Sequence, residues 1–267
     1  MKKKLAMVLA AAMVAGIALT GCGNKNTNSS ASNEPQTYAV EAGSAGEAAA
    51  KEKGYEYNAV SSQADALMEV ASGTSDAAII DLLMAGAMIG EGTSYPDMKY
   101  TDKLTTEEYG VGCRKDSDLA SYINAAFAEM YADGSMMKIA ETYGVQESIL
   151  EQKPCEFVQA EKDSDVQYIK DKGTLIVGIT EFAPMDYKDK DGNWIGFDAD
   201  MAKKVAEKLG VEVKFTVIDW DTKIMELESK NLDVVWNGMT LTDEVTNAMA
   251  CTNAYCNNAQ VVVIPSK

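Results

Sequence analysis

Two periods of hydrophobic and polar positions alternate along the chain from Thr37 onward. Short apolar runs such as TYAVEA and SDAAIID have the length of strands. Between them, SAGEAAAKEKG and SQADALMEVASG place apolar residues on one helical face. Strands that alternate with helices predict an open α/β sheet.

The pattern repeats further along the chain. A strand-like run at 107–115 leads into two helices, the first capped by Asp116 or Ser117, and Gly134 and Gly144 end them. The charged stretch 145–167 is predicted to be a linker. Beyond it we predict strands at 174–178, 213–217 and 233–236, a hairpin through Asp191-Gly192, and helices at 199–209 and 221–230. Two such sets predict two lobes, with a ligand cleft at the carboxyl ends of the strands.

The N-terminal residues have the features of a secretion signal. Three lysines precede an apolar run that ends in Leu19-Thr20-Gly21-Cys22. This ending resembles a bacterial lipobox, which implies that residues 1–21 are removed and that Cys22 receives a lipid. A short transmembrane anchor is the alternative. Residues 22–36, rich in Asn and Ser, are predicted to be a flexible tether, so we expect the body of the protein to be anchored outside the cytoplasm.

Charge and composition restrict the function. The chain has 24 basic and 41 acidic residues, a net charge of −17, which becomes −20 once the three signal-peptide lysines are removed. Nucleic acid is therefore not an expected partner. The absence of histidine excludes Ser-His and Cys-His nucleophilic sites and His-ligated zinc. Apart from Cys22, the cysteines lack metal-type spacing and are expected to be small buried side chains, with a Cys251–Cys256 disulfide as the alternative.

The motifs of the second half resemble the extracellular amino-acid-binding proteins of ABC importers, which have the type II periplasmic-binding-protein fold. The carrying motifs are GTLIVGIT.FAPMDY, GFD.D.A..VA..LGV, IDWD, DV.WNGMT.TDE and AY..N.QVVV. AVEAGSAGEAA and SG.SDAAI.D follow these in the family but precede them here. The resemblance thus implies a circular permutation. One lobe would comprise residues 37–115 with 258–267 and the other 116–257, hinged near 109–113 and 258–262.

The resemblance implies a function without covalent chemistry. We expect a lipid-anchored, monomeric protein that captures a small polar solute, an amino acid, and delivers it to an ABC permease, with neither metal nor cofactor. The alternatives are a binder of another polar metabolite, and an enzyme similar to cyclohexadienyl dehydratase in which Glu41 or Asp186 would be the acid. A sensory module would need a transmembrane helix and a signalling domain, and the sequence after residue 22 has the motifs of neither.

Three side chains are expected to contact the ligand. By their positions in the motifs, Phe182 and Trp220 match the aromatic pair that sandwiches the ligand's aliphatic part. Asp81 matches the aspartate that takes the ligand ammonium. The residues themselves leave alternatives open: both aromatics are also plausible core residues, and Asp81 is also a plausible helix cap.

Two strand-to-helix turns are expected to face the ligand's carboxylate. Backbone N–H groups at Gly238, Met239 and Thr240, with the Thr240 hydroxyl, form one donor set, and Gly43, Ser44 and Ala45 form the other. The alternative for Gly43 to Ala45 is a tight strand-to-helix turn without a role in binding. Glu41, Asp186, Tyr187 and Asn237 are further groups that could line the cleft.

One position departs from the family. The arginine that grips the α-carboxylate there is replaced by Val245, and the only arginine of the chain, Arg114, lies in a turn expected at the surface. The carboxylate must then rely on backbone donors, hydroxyls or a lysine, or be absent from the ligand. The segment YKDKDGNWIGFD approaches a calcium loop, but Tyr187 occupies its first ligand position, so a hairpin explains it better.

Overall fold

The computed structural model describes residues 35–267. Its first elements are β1 (Tyr38–Glu41), α1 (Ala45–Lys53), β2 (Tyr57–Val60), α2 (Gln63–Ser72), β3 (Ala77–Asp81), α3 (Leu82–Met88) and β4 (Met98–Lys103). Next come β5 (Glu107–Cys113), α4 (Leu119–Ala132), α5 (Ser135–Tyr143), α6 (Asp165–Lys172), β6 (Thr174–Ile179), β7 (Tyr187–Lys188) and β8 (Trp194–Ile195). The last are α7 (Phe197–Leu209), β9 (Glu212–Val217), α8 (Lys223–Glu228), β10 (Val234–Thr240), α9 (Asp243–Ala248), β11 (Ala250–Cys251), β12 (Cys256–Asn258) and β13 (Gln260–Pro265). The predicted α/β class is confirmed.

Local sequence explains where the early helices begin and end. The Ser44 hydroxyl accepts the N–H of Glu47 at the start of α1, and Ser62 does the same for Asp65 at the start of α2. Gly54 ends α1 in the left-handed conformation, which glycine adopts without a steric penalty. β1 before α1 and β3 after α2 are buried throughout because helices cover the sheet, whereas β2, between the two helices, is an edge strand and is partly exposed.

The first sheet has the strand order β2-β1-β3-β13-β4. β1 runs parallel to both β2 and β3, whereas β13 pairs antiparallel with β3 and with β4. The last strand of the chain therefore completes the sheet that the first strands begin.

The second sheet has the order β11-β5-β10-β6-β9, with β12 also paired to β5. β6 runs parallel to β9 and β10, while β5 is antiparallel to β10. A separate ribbon of β7 and β8 forms the predicted hairpin. Asp189 accepts the N–H groups of Asp191 and Asn193 across its turn, and Gly192 has φ +84°, the left-handed conformation that glycine favours.

Two short passages join the sheets, residues 104–106 after β4 and Ala259 between β12 and β13. They are hydrogen-bonded to each other: Leu104 N–H donates to the Gln260 carbonyl at 2.8 Å, and Gln260 N–H donates to Thr105 Oγ1 at 2.8 Å. The crossing predicted near 258–262 contains Ala259, whereas the one predicted near 109–113 is wrong, because β5 lies wholly in the second sheet and the chain crosses at 104–106.

Three sequence-based details are corrected by the structure. Helix α4 is capped one or two residues later than predicted, at Asp118 rather than Asp116 or Ser117, although Ser117 Oγ still accepts the Leu119 N–H. The predicted linker 145–167 ends inside a helix, because Ser164 caps α6 and Asp118 accepts hydrogen bonds from Ser164 and from the Ala160 N–H. Cys155 is exposed rather than buried.

Arg114 is a fourth correction, because it is buried and not at the surface. Its guanidinium contacts both Asp165 oxygens at 2.9–3.2 Å and donates to the Leu232 carbonyl at 2.6 Å. It also lies 3.4 Å from the fully buried Asp233, which pairs with Lys172. Desolvation alone would keep all these charges at the surface, so their mutual pairing explains the burial.

No helix within residues 35–267 is both long and apolar enough to cross a membrane. The four cysteines of that range are free thiols. The predicted signal peptide, Cys22 and nearly all of the predicted tether lie outside the described residues.

Candidate functional site

A cavity of about 280 Å³ lies between the two sheets, at the carboxyl ends of β1, β3, β6 and β10. This is the place where α/β sheets bind ligands. Drug-sized ligands usually occupy pockets of about 300–1,000 Å³, so this cavity suits a smaller molecule. Eight of the nine predicted contact residues line it: Gly43, Ser44, Ala45, Asp81, Trp220, Gly238, Met239 and Thr240.

Phe182 is the ninth residue, and the structure places it outside the cavity. The loop after β6 turns back through a hydrogen bond from the Met185 N–H to the Phe182 carbonyl, which directs the ring into the core. There its centroid lies 6.3 Å from that of Tyr109, edge to face. A Cβ built on Gly238 would lie 2.5 Å from this ring, so the close packing needs glycine. The predicted aromatic sandwich is therefore wrong, and Trp220 alone contributes an aromatic wall.

Asp81 is buried at the end of β3 and is surrounded by neutral donors. Its Oδ1 accepts hydrogen bonds from Tyr109 Oη at 2.6 Å, from Gln260 Nε2 at 3.1 Å and from Asn258 Nδ2. Gln63 holds the other side, donating to Oδ2 and accepting the Asp81 N–H at 2.8 Å. Asp81 occupies the cap position of α3 but makes no side-chain cap bond. Asp81 therefore lines the cavity while its carboxylate already accepts hydrogen bonds from four side chains.

Glu41 lies at the end of β1, the parallel neighbour of β3, and differs from Asp81 in its hydrogen bonding. Only 3% of the residue is exposed, and its Oε1 has no hydrogen-bond partner within residues 35–267. Burial first, and then the nearby Asp81 carboxylate, raise the pKa of Glu41 to about 8. Burial and the charge of Glu107 likewise raise the pKa of Asp81. This end of the cavity thus holds two desolvated acids.

The donors predicted on the β10 side are already committed. The Gly238 N–H donates to Asp198 Oδ2 at 2.6 Å, and Asp198 also accepts from the Tyr255 hydroxyl. The Thr240 hydroxyl donates to Glu107 Oε2 at 3.0 Å. The residues line the cavity as expected, but the prediction that Gly238 N–H and the Thr240 hydroxyl are free for a carboxylate is wrong.

The turn before α1 reaches across to the second sheet. Gly43 has φ +70°, and a Cβ built there would lie 2.6 Å from Asp221 Cα, so both its backbone conformation and its contact require glycine. Its N–H donates to Glu47 Oε2 at 2.8 Å. The first amides of α1, beginning at Ala45, have no acceptor within the helix. Together with the Ser44 hydroxyl they are the donors best placed for an anion at this end.

Lys223 on α8 is the one basic residue lining the cavity within the described chain. Its Nζ donates to the Gly43 carbonyl at 2.9 Å and to the Trp220 carbonyl at 3.1 Å. Burial lowers its pKa despite the surrounding acids. Val245, at the position where the resemblance implies arginine, is a buried wall residue whose N–H donates to Thr242 Oγ1. Opposite the single lysine stand four acids: Glu41, Asp81, Asp243 and Glu244.

The further groups considered from the sequence divide evenly. Glu41 and Asn237 line the cavity, whereas Asp186 and Tyr187 do not. Asp186 is fully buried beside Asn237, and burial, with the charge of Asp198, raises its pKa well above the usual range. The additional wall residues that sequence reasoning did not single out are Ala48, Gln63, Thr180, Lys223, Thr242, Asp243 and Glu244. Thr180 was detectable, because it directly follows β6.

A two-sheet α/β protein with a small polar cavity between its sheets has the architecture of a solute-binding protein. Residues 175–267 match the bacterial extracellular solute-binding proteins, family 3. It is 38% identical to the L-cystine-binding protein TcyJ of Escherichia coli (strain K12) over 28% of this chain and 29% of that protein.

Two further relatives differ in activity. The arginine-binding extracellular protein ArtP of Bacillus subtilis (strain 168) is 34% identical over 34% of this chain and 36% of its own. The cyclohexadienyl dehydratase of Pseudomonas aeruginosa is 27% identical over 30% of each chain. The chain spans about a third of the length of the curated relatives it matches. The two more similar of these three proteins are solute-binding proteins rather than enzymes.

Proposed function

We propose that the protein captures a small polar solute with an ammonium group, an amino acid, outside the cytoplasm and presents it to an ABC permease. The observation that carries this proposal is the pair of buried acids at the ends of β1 and β3, both of which line the cavity and one of which has an oxygen without a hydrogen-bond partner within residues 35–267. Buried carboxylates are stable when a cation pairs with them, and an ammonium group supplies three donors.

The rest of the cavity suits a small zwitterion. Trp220 supplies an apolar face for an aliphatic side chain. The ligand's carboxylate would lie toward Ser44 and the first amides of α1, where the helix dipole favours negative charge. Because the donors on the β10 side are committed and arginine is absent, this end holds a carboxylate less firmly than a guanidinium does.

The arrangement of the sheets supports capture and delivery. The cavity walls come from both sheets, and only residues 104–106 and Ala259 connect them. A ligand that contacts both walls favours the closed arrangement, which is the form a permease would recognise. We propose that the lipid on Cys22 holds the protein at the outer face of the cell membrane, that the tether gives it reach, and that it acts as a monomer.

A thermal-shift screen tests the proposal. The purified protein is melted with each common L-amino acid, with L-cystine and with the corresponding decarboxylated amines. A ligand present at about 100 times its dissociation constant stabilises the native state by about 2.7 kcal/mol, a shift of about 5–10 °C for a protein of this size. An amino acid that raises the melting temperature more than its amine supports the proposal. If only amines or carboxylate-free metabolites raise the melting temperature, the proposal that the solute is an amino acid fails. If no solute raises it, the proposal of solute capture fails as well.

A further inference from the structure

We propose that Glu41 is the specificity-determining acid that receives the ligand's cationic group, and that Asp81 is a positioning residue. This inference rests on the proposed function, in that it assigns the acid within the same cavity. It departs from the assignment that the sequence resemblance implies, which places the ammonium on Asp81.

Hydrogen-bond capacity is the first argument. An ionised carboxylate has about four lone-pair sites. Asp81 already accepts from four side chains, namely Gln63, Tyr109, Asn258 and Gln260. These donors come from both sheets and from α2, so Asp81 joins parts of the scaffold. Three of these donors lie on Oδ1 and one on Oδ2, so an ammonium group would have to displace a donor to bind Oδ1, and on Oδ2 it would have to share the oxygen with Gln63.

Glu41 has the complementary arrangement. Its Oε1 is buried, lacks a partner and belongs to a residue that lines the cavity. A buried polar atom without a partner is rare in proteins and is usually satisfied by a bound molecule. Lys223 does not fill this role, because its Nζ is engaged with the carbonyls of Gly43 and Trp220. The acceptor available to an incoming cation is therefore on Glu41.

The charges around Glu41 determine its ionisation. The charge of Asp81 on β3 disfavours ionisation of Glu41, whereas Lys223 on α8 and hydrogen bonds with Thr180 and Gln63 favour the ionised Glu41. Glu107 on β5 accepts hydrogen bonds from Asn258 and Gln260, and Glu47 on α1 accepts one from the Gly43 N–H. The charges of Glu244 on α9 and of Asp221 act on Lys223, as does that of Glu41 itself. Because burial dominates, the pKa of Glu41 lies near 8, and the empty site holds a neutral Glu41 at pH 7.

Ligand binding then exchanges a proton. A neutral Glu41 carboxyl plus an ammonium ligand becomes a carboxylate paired with the ammonium, and the carboxyl proton passes to solvent. Up to one proton is released per ligand at pH 7, and affinity rises with pH until Glu41 is ionised in the empty protein. A residue that only shaped the cavity would not produce this release.

The first arm of the test needs no ligand. Glu41 has a raised native pKa, so the folded state binds more protons than the unfolded state between about pH 4.5 and pH 8, and stability falls as pH rises. Between pH 4.5 and pH 8 the melting temperature of Glu41→Gln should fall less than that of the wild type. The matched control is Glu56→Gln, an exposed glutamate next to β2, whose melting temperature should fall as much as that of the wild type. An unchanged fall in Glu41→Gln would show that Glu41 is already ionised in the empty protein and would overturn the proton exchange.

The second arm uses calorimetry at pH 7 in phosphate and in Tris, with the common L-amino acids, L-cystine, agmatine and cadaverine as probes. For each probe that binds the wild type, Glu41→Gln should weaken binding by roughly 30-fold or more and abolish proton release. Asp81→Asn should melt at a lower temperature, yet retain proton release when measured below its transition.

The outcomes separate the two claims. Proton release that persists in Glu41→Gln and disappears in Asp81→Asn assigns the cation to Asp81 and overturns the inference, while the proposed function stands. Binding of only neutral or anionic solutes to the wild type also overturns it. If no probe binds, the proposed function fails, and the first arm still decides whether Glu41 is neutral in the empty protein.

Discussion

Replacing Arg114 by alanine should destabilise the protein strongly and leave ligand affinity unchanged. The guanidinium makes a forked contact with Asp165 and donates to the Leu232 carbonyl, and it faces Asp233, which is completely buried. Removing one partner of a buried ion pair costs about 3–5 kcal/mol, because the remaining charge is left uncompensated. Since 1 kcal/mol corresponds to about 2–4 °C at this chain length, the melting temperature should fall by about 6–20 °C.

The dependence on pH gives this prediction a second signature. Burial by itself would raise the pKa of Asp165, but the hydrogen bonds and charge of Arg114 outweigh burial and leave that pKa below its ordinary value. The stabilisation is therefore present above the ordinary aspartate pKa of about 3.9 and is lost as pH falls through the lower native value. The difference between the wild type and Arg114→Ala should shrink in acid.

The assay is urea unfolding at neutral pH and in acid, together with calorimetric titration of the solute found in the screen. Arg114→Lys is the matched variant: it keeps the charge but loses the forked contact, so its loss of stability should be intermediate. A loss below about 1 kcal/mol in Arg114→Ala would refute the reasoning about the buried pair. Loss of binding in a folded Arg114→Ala protein would show instead that this arginine serves the ligand.

Three further predictions concern closure, chain order and anchoring. Gly43→Ala should weaken solute affinity, measured by calorimetry, at least tenfold more than Gly54→Ala does. Both glycines have φ +70°, but only a Cβ at Gly43 would meet Asp221. Equal effects would contradict the idea that the contact between Gly43 and Asp221 forms when the protein closes on its ligand. Val263 and Ala39 both pair with Ala78, so they lie about 10 Å apart on either side of β3. A variant whose chain is joined from Pro265 to Thr37 by a short loop and opened at the exposed Lys162 should therefore melt within a few degrees of the parent protein. The same join with the opening placed inside α7 should not fold. Cys22→Ala should abolish incorporation of labelled palmitate and move the protein from the membrane to the soluble fraction; continued labelling would refute the lipobox assignment.

The elements of the fold were predictable where local sequence decides the structure. The run Ala77–Asp81 is buried throughout and apolar up to its last residue, which is a strand signal that depends on no distant partner. Serine at the start and glycine at the end of α1 and α2 set their lengths through caps a few residues away. Helix α8 was less predictable, since a short 3₁₀ turn at Trp220–Thr222 replaces its expected first residues.

The position of the site was also predictable, but its hydrogen bonds were not. Eight of the nine residues lie in the cavity because strand ends and helix starts, which the pattern locates, converge there. Whether a donor is free depends on side chains far away in sequence: Asp198 takes the Gly238 N–H from 40 residues away, and Gln63 holds Asp81 from 18 residues away. The inward turn of Phe182 depends likewise on tertiary packing against Tyr109.

The placement of charge links the fold to the proposed specificity. The only arginine of the chain is used to compensate Asp165 and Asp233 in the scaffold, and the only lysine of the cavity is bonded to two carbonyls. The cavity therefore retains acids in excess of cations. A cation brought by a ligand removes this imbalance, whereas a carboxylate adds to it. Among molecules of equal size, the electrostatics of the site thus favour those whose positive charge reaches the β1 and β3 strand ends and whose negative charge, where present, lies toward the start of α1.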